Sequence, residues 1–161
     1  MPALRCSSGP TVRSMAVFQT TFAVAGPPEA VWAVLVDFKG WQDWNPSVPD
    51  IRGVAKVGST VRMTLAMPSR PSAKVKARLT EVVPERRLCW HGNVGADWLF
   101  AGTRTLDLDP QPDGTVLVTH VEDVRGLLFP LFRTMMGPAI QQHHENLNEA
   151  LKRRAEAQSG Q

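Results

Sequence analysis

With 161 residues, 43% of them hydrophobic and 20% charged, the chain has the composition of one globular domain, which excludes a disordered polymer and leaves little room for a second core. A formal net charge of +3 with only short clusters of Lys and Arg argues against a nucleic-acid partner. No apolar run reaches the ~20 residues of a membrane span, so stable membrane insertion is not expected.

The first residues, Met1 to Ser14, are mixed and polar and lack the apolar stretch of a secretory signal; 1–14 is expected to be a flexible tail. Ordered structure is expected over 15–157 as a single domain, with 158–161 disordered. Cys6 and Cys89 offer neither a metal-ligand spacing nor a disulfide framework, which fits a reducing, cytoplasmic setting. Ala16 to Val24 alternates and is rich in Val, Phe and Thr, so it predicts a strand. Gly26, Pro27 and Pro28 break it, and Pro28 followed by Glu29 opens a helix to about Asp37. A second short helix over Phe38 to Trp44 ends at Asn45-Pro46.

From there the pattern is β. Strands are predicted at Val48–Val54, Thr60–Met67, Ala73–Val83, Arg87–Asn93, Asp97–Asp107 and Thr115–Val124, separated by Gly- and Pro-containing turns. Strands joined this closely pair antiparallel. Apolar residues then recur at helical spacing from Leu127 to Ala157, with Gly137-Pro138 predicting a kink or a break. An antiparallel sheet of six or seven strands needs a cover for its apolar face, and the long C-terminal helix is the one element able to supply it. The expected fold is therefore α+β: a curved sheet wrapped around that helix, with two short helices after the first strand and a pocket where sheet and helix do not close.

Several motifs resemble one family. Pro28-Glu29-Ala30-Val31-Trp32 through Asp37-Phe38, followed by Trp44-Asn45-Pro46, resembles the opening of the START/Bet v1-like (SRPBCC) superfamily, in its polyketide cyclase/dehydrase and lipid-transport branch. Leu88-Cys89-Trp90-His91-Gly92 is similar to that branch's LxWxG strand, Leu99-Phe100-Ala101-Gly102-Thr103-Arg104 to its LFxGxH strand, and Glu122 to Leu128 to its ExFxGLL entry into the last helix. Arg104 stands where the branch has a histidine. The resemblance implies the helix-grip fold and a ligand cavity. It does not imply one reaction, because the same fold serves carriers, cyclases, receptors and co-chaperones.

Period-two alternation sorts the strands into faces. Met63 and Leu65, Trp90, Trp98 and Phe100 with Arg104, and Val118 with His120 and Glu122 fall on inward faces. With Trp44 from the short helix and Phe132, Met135, Met136 and Ile140 from the long one, they are the expected ligand-binding set. Arg104 and Glu122 are expected to pair across adjacent strands, as a register-fixing ion pair, as an anchor for a polar ligand group, or as both. The expected function is binding of a small hydrophobic molecule or lipid by a monomer or homodimer. A cyclase or dehydratase, with His120 or Glu122 moving a proton and Arg104 steadying an enolate, is the first alternative; a protein-binding, co-chaperone-like module is the second. His143 and His144, adjacent on a helix, point about 100° apart and do not chelate one ion together; no metal and no cofactor is expected.

Overall fold

The computed structural model describes residues 16–66, 68–69, 71–93, 95–127 and 129–160, with the backbone alone over 131–136. The tail predicted at 1–14, and the side chains of Phe132, Met135 and Met136, lie outside the described residues. β1 spans Ala16–Ala25 and is left at Gly26, whose φ of +126° suits a residue without a side chain. α1 (Pro28–Val36) starts on the prolines as expected, with Glu29 in its first turn. A 3-10 turn (Phe38–Gly40) and α2 (Trp41–Trp44) follow. The Asp37 carboxylate accepts the Gly40 N–H at 3.2 Å. The Trp41 indole donates to the Val34 and Leu35 carbonyls at 3.2 and 3.1 Å, so the last carbonyls of α1 are satisfied inside the core.

β2 (Asp50–Arg52), β3 (Thr60–Leu65), β4 (Ala73–Val83), β5 (Arg87–Asn93), β6 (Ala101–Pro110) and β7 (Thr115–Arg125) complete one sheet of seven strands. Its order is β1-β7-β6-β5-β4-β3-β2 and every pairing is antiparallel. A bulge between Leu79 and Glu81 interrupts the ladder of the β4–β5 hairpin, where bulges bend a sheet. α3 (Phe129–Ser159) packs against β1, β7, α1 and α2. Leu147, Leu151 and Ala155 of α3 join Val116, Val118, Leu106, Leu108 and Leu88 in one core, so the helix covers the apolar face of the sheet.

Several expectations are corrected. The sixth strand begins at Ala101, not Asp97, because the Ala96 carbonyl accepts the N–H groups of both Leu99 and Phe100 at 2.9 and 3.2 Å and closes a turn there. Trp98 sits in that turn and is 65% exposed, so its assignment to the inward face fails. α3 runs through Gly137-Pro138 without a break, and its last residues, Gln158 and Ser159, remain helical. Cys89, expected to lie outside any disulfide framework, is disulfide-bonded, which removes the cysteine argument for a reducing compartment.

Candidate functional site

Register assembles the site in rows across the sheet. One row runs Trp90, Arg104, Glu122 and Phe18 over β5, β6, β7 and β1, each directly opposite the next. The row on one side is Leu88, Leu106, His120 and Thr20. On the other side Gly92 faces Gly102. The two opposed glycines send no side chain into the inner layer, and their neighbours close in: a Cβ on Gly92 would lie 3.1 Å from Ala77 and 3.2 Å from Val75, and one on Gly102 3.3 Å from the Glu122 carboxylate. A cavity of about 70 Å3 opens there, lined by Met63, Leu65, Val75, Trp90, Phe100, Arg104 and Glu122 besides the glycines and Asn93. Sites that hold drug-sized ligands occupy roughly 300–1,000 Å3, so this space has the scale of one end of a ligand. It lies at the end of the sheet that carries the turn between β3 and β4, as the position of Leu65 and Asn93 at their strand ends requires.

Arg104 and Glu122 pair as expected. The guanidinium donates from Nε and Nη2 to Glu122 Oε2 at 3.1 and 2.6 Å. Its Cζ lies 5.9 Å from the Trp90 ring, a cation–π contact set by the cross-strand register. Arg104 is 4% exposed, lines the cavity, and its Nη1 has no hydrogen-bond partner among the described residues. Glu122 is also reached by His144 of α3, whose Nε2 donates to Oε2. Burial alone would raise the Glu122 carboxyl, but Arg104 and the His144 hydrogen bond outweigh it and hold it well below the ordinary carboxylate range.

Behind this pair lies a second polar layer. His120 Nδ1 donates to Asn148 Oδ1 at 2.7 Å, and Asn148 Nδ2 donates to Thr20 Oγ1 at 2.6 Å. That chain fixes the His120 tautomer and leaves Nε2 as a buried acceptor with no partner among the described residues. Burial, then His144 and Arg104, push the His120 imidazole well below its usual range, so it stays neutral. His143 Nδ1 donates to the Ala66 carbonyl at 3.1 Å, and burial followed by Arg104 lowers this group to about 4. Ser47 Oγ donates to the His143 carbonyl at 3.3 Å, and the Asn45 carboxamide oxygen accepts from Ser47 and Val48 N–H, so the segment after α2 is pinned to α3.

Of the expected ligand-binding set, Met63, Leu65, Trp90, Phe100, Arg104 and Glu122 line the cavity together. Val118 and His120 are fully buried on the inner face of β7 outside the cavity lining, and Ile140 is buried on α3. Trp44 packs against the core through Trp41, ring centroids 5.4 Å apart, rather than on the cavity. The expected set omitted His143, His144 and Asn148. Their signal was present: Ile140, His144, Leu147, Asn148 and Leu151 share one helical face, and all are buried.

His120, Glu122 and His144 offer ligand atoms within 4.8 Å of one another, a grouping the expectation of no metal had not foreseen. Their geometry does not suit a shared ion. The two imidazoles are stacked, centroids 4.2 Å apart and planes 18° from parallel, whereas an ion bound in common must lie in the plane of both rings. Glu122 Oε2 already faces a guanidinium. As arranged, the group holds protons and one ion pair.

A curved antiparallel sheet closed over a long C-terminal helix, with a cavity on its inner face, defines the helix-grip class. The chain belongs to the polyketide cyclase/dehydrase and lipid transport family, whose pattern matches residues 15–156. The fold is similar to that of TTHA0849 from Thermus thermophilus, at 19% identity over 89% of this chain and 99% of that one, with a TM-score of 0.73. It is also similar to the Zhui aromatase/cyclase from Streptomyces sp. R1128, at 16% identity over 88% and 93% of the two chains and a TM-score of 0.69. A norcoclaurine synthase point mutant from Thalictrum flavum matches at 16% identity over 90% and 97%, with a TM-score of 0.68. No curated protein matches the chain significantly.

Proposed function

We propose that the protein binds a small, largely apolar molecule between its sheet and α3, with an acceptor oxygen of that molecule on Arg104. One observation carries this reading: Arg104 Nη1 is a buried donor without a partner among the described residues, in a residue that lines a cavity otherwise walled mainly by apolar groups. A buried polar group left unpaired costs free energy, and a carbonyl, carboxylate or phenol oxygen of a ligand relieves that cost. The guanidinium is already charge-balanced by Glu122, so a neutral carbonyl is accommodated as well as an anion.

A cyclase-like reading draws on the neutral His120, with its tautomer set by Asn148 and Thr20. It is weaker, because His120 is wholly buried behind the cavity wall. Glu122, which does reach the cavity, is a poor base while Arg104 and His144 share its charge. The test is a matched pair of fluorescent probes, anilinonaphthalene sulfonate and neutral N-phenyl-1-naphthylamine. Arg104→Met is expected to weaken the sulfonate at least about tenfold and leave the neutral probe within about twofold. Equal loss of both, with circular dichroism unchanged, refutes the anchor.

A further inference from the structure

We infer that the protein docks on an anionic lipid bilayer through the outer face of β2, β3 and β4 and the exposed tip beside it. On that outer face Arg52, Arg62 and Lys76 stand directly opposite one another across the three strands, a row of like charges in register. Lys74 and Arg78 flank Lys76 on the same face of β4, opposite Thr64 and Thr60. Two carboxylates on these strands are engaged, one of them by a member of the row itself. Asp50 of β2 is held by Arg52 at 3.2 Å, and Glu81, beyond the bulge in β4, is met by Arg87 at 3.5 Å. Like charges directly opposite across a ladder destabilise it. The row is therefore arranged against stability, and an apposed anionic surface turns the same arrangement to advantage.

The second observation lies at the adjoining end of the sheet. Trp98 is 65% and Leu127 72% exposed, the two largest exposures among the described Trp and Leu residues. The Leu127 N–H donates to the Trp98 carbonyl at 2.9 Å, so the two segments form one tip. Gly126 presses the segments together: a Cβ there would lie 2.3 Å from the Leu99 carbonyl oxygen. The tip adjoins the basic rows, because Asp97, next to Trp98, accepts from Asn93 at 2.5 Å, and Asn93 stands opposite Lys76. Phe100, two residues on, lines the cavity. An exposed indole beside an aliphatic side chain, next to a basic face and with the intervening Asp97 carboxylate met by Asn93, His91 and Arg125, matches a lipid surface, where aromatics settle at the headgroup level and basic residues face anionic lipid. A highly acidic protein would satisfy the cations but leave the tip in water. No helix among the described residues is long and apolar enough to cross a membrane, so the contact inferred is peripheral.

The test is sedimentation of the full chain with vesicles of phosphatidylcholine alone or with about one third phosphatidylglycerol. Binding is expected to the anionic vesicles only, and to weaken as salt rises. Arg62→Glu gives opposite charges to both neighbours in the row. It is expected to raise the melting temperature while weakening vesicle binding roughly tenfold. Trp98→Ser with Leu127→Ser is expected to weaken binding at least about fivefold, with the melting temperature unchanged. Equal binding to both vesicle types overturns the inference, as does unchanged binding of Arg62→Glu. So does tight binding of polyglutamate or duplex DNA by a protein that leaves the vesicles in solution.

Discussion

Replacing Glu122 by alanine removes the acceptor for three hydrogen bonds at once: two from Arg104 and one from His144. The guanidinium, 4% exposed, is then a buried cation left without its carboxylate, against the Trp90 face. Breaking a buried pair from one side costs about 3–5 kcal/mol. The Glu122 side chain is 18% exposed at the cavity, so water reaches part of the vacated space and the lower half of that range is expected. For a domain of this size, about 3 kcal/mol lowers the melting temperature by about 10 °C. Arg104→Met alone leaves Glu122 with His144 and is expected to cost less. Arg104→Met with Glu122→Leu removes both charges and is expected to be more stable than Glu122→Ala. Urea unfolding of the wild type, Arg104→Met, Glu122→Leu and the double variant gives a cycle whose coupling is expected near about 2 kcal/mol. A loss under about 1 kcal/mol in Glu122→Ala, or additivity in the cycle, would show that the pair does not support the fold and would refute the reasoning.

Acid sensitivity is expected to begin near pH 6.5, the ordinary value for histidine. His120 and His143 are held neutral in the fold, so the unfolded chain takes up protons first and stability falls as pH drops. For His143 the window runs from 6.5 to about 4; at about 1.36 kcal/mol per pH unit that amounts to about 3 kcal/mol, and His143→Gln should flatten a pH series of urea midpoints by that much. Glu122 adds a second loss below the ordinary carboxylate range, since its folded form resists protonation while the unfolded form accepts it; in Glu122→Gln this lower-pH limb should vanish while the histidine limb stays. Gly126→Ala places a Cβ 2.3 Å from the Leu99 carbonyl oxygen at a φ of +130°; at least about 2 kcal/mol should be lost, and wild-type stability would show that the two segments separate freely.

Much of this was legible in the residues. The run of strands and the inward sides of Arg104 and Glu122 followed from alternation, because in a sheet the side-chain period survives whatever the strands pack on. Their direct opposition needed the turn between β6 and β7, which sets the register but hides it from composition. Trp98 was misread because alternation was carried back from β6 into residues that form a turn, where the period has no meaning. His144 and Asn148 were within reach of helical spacing, but histidines on an apolar face carry no sign of which strand group they meet. The glycine gap behind the cavity was invisible until register set Gly92 against Gly102. The basic row arose the same way: Arg52, Arg62 and Lys76 are separated in sequence and meet only across the ladder.

The central claim, a ligand site at the glycine gap, is tested most directly by titrating the protein with N-phenyl-1-naphthylamine beside Val75→Phe. Val75 lines the cavity and takes no part in the Arg104–Glu122 pair, so the larger ring fills the space without removing either charge. The account predicts saturable one-to-one binding by the wild type and its loss in Val75→Phe at unchanged circular dichroism. Failure of the wild type to saturate, or equal binding by the filled variant, would contradict it.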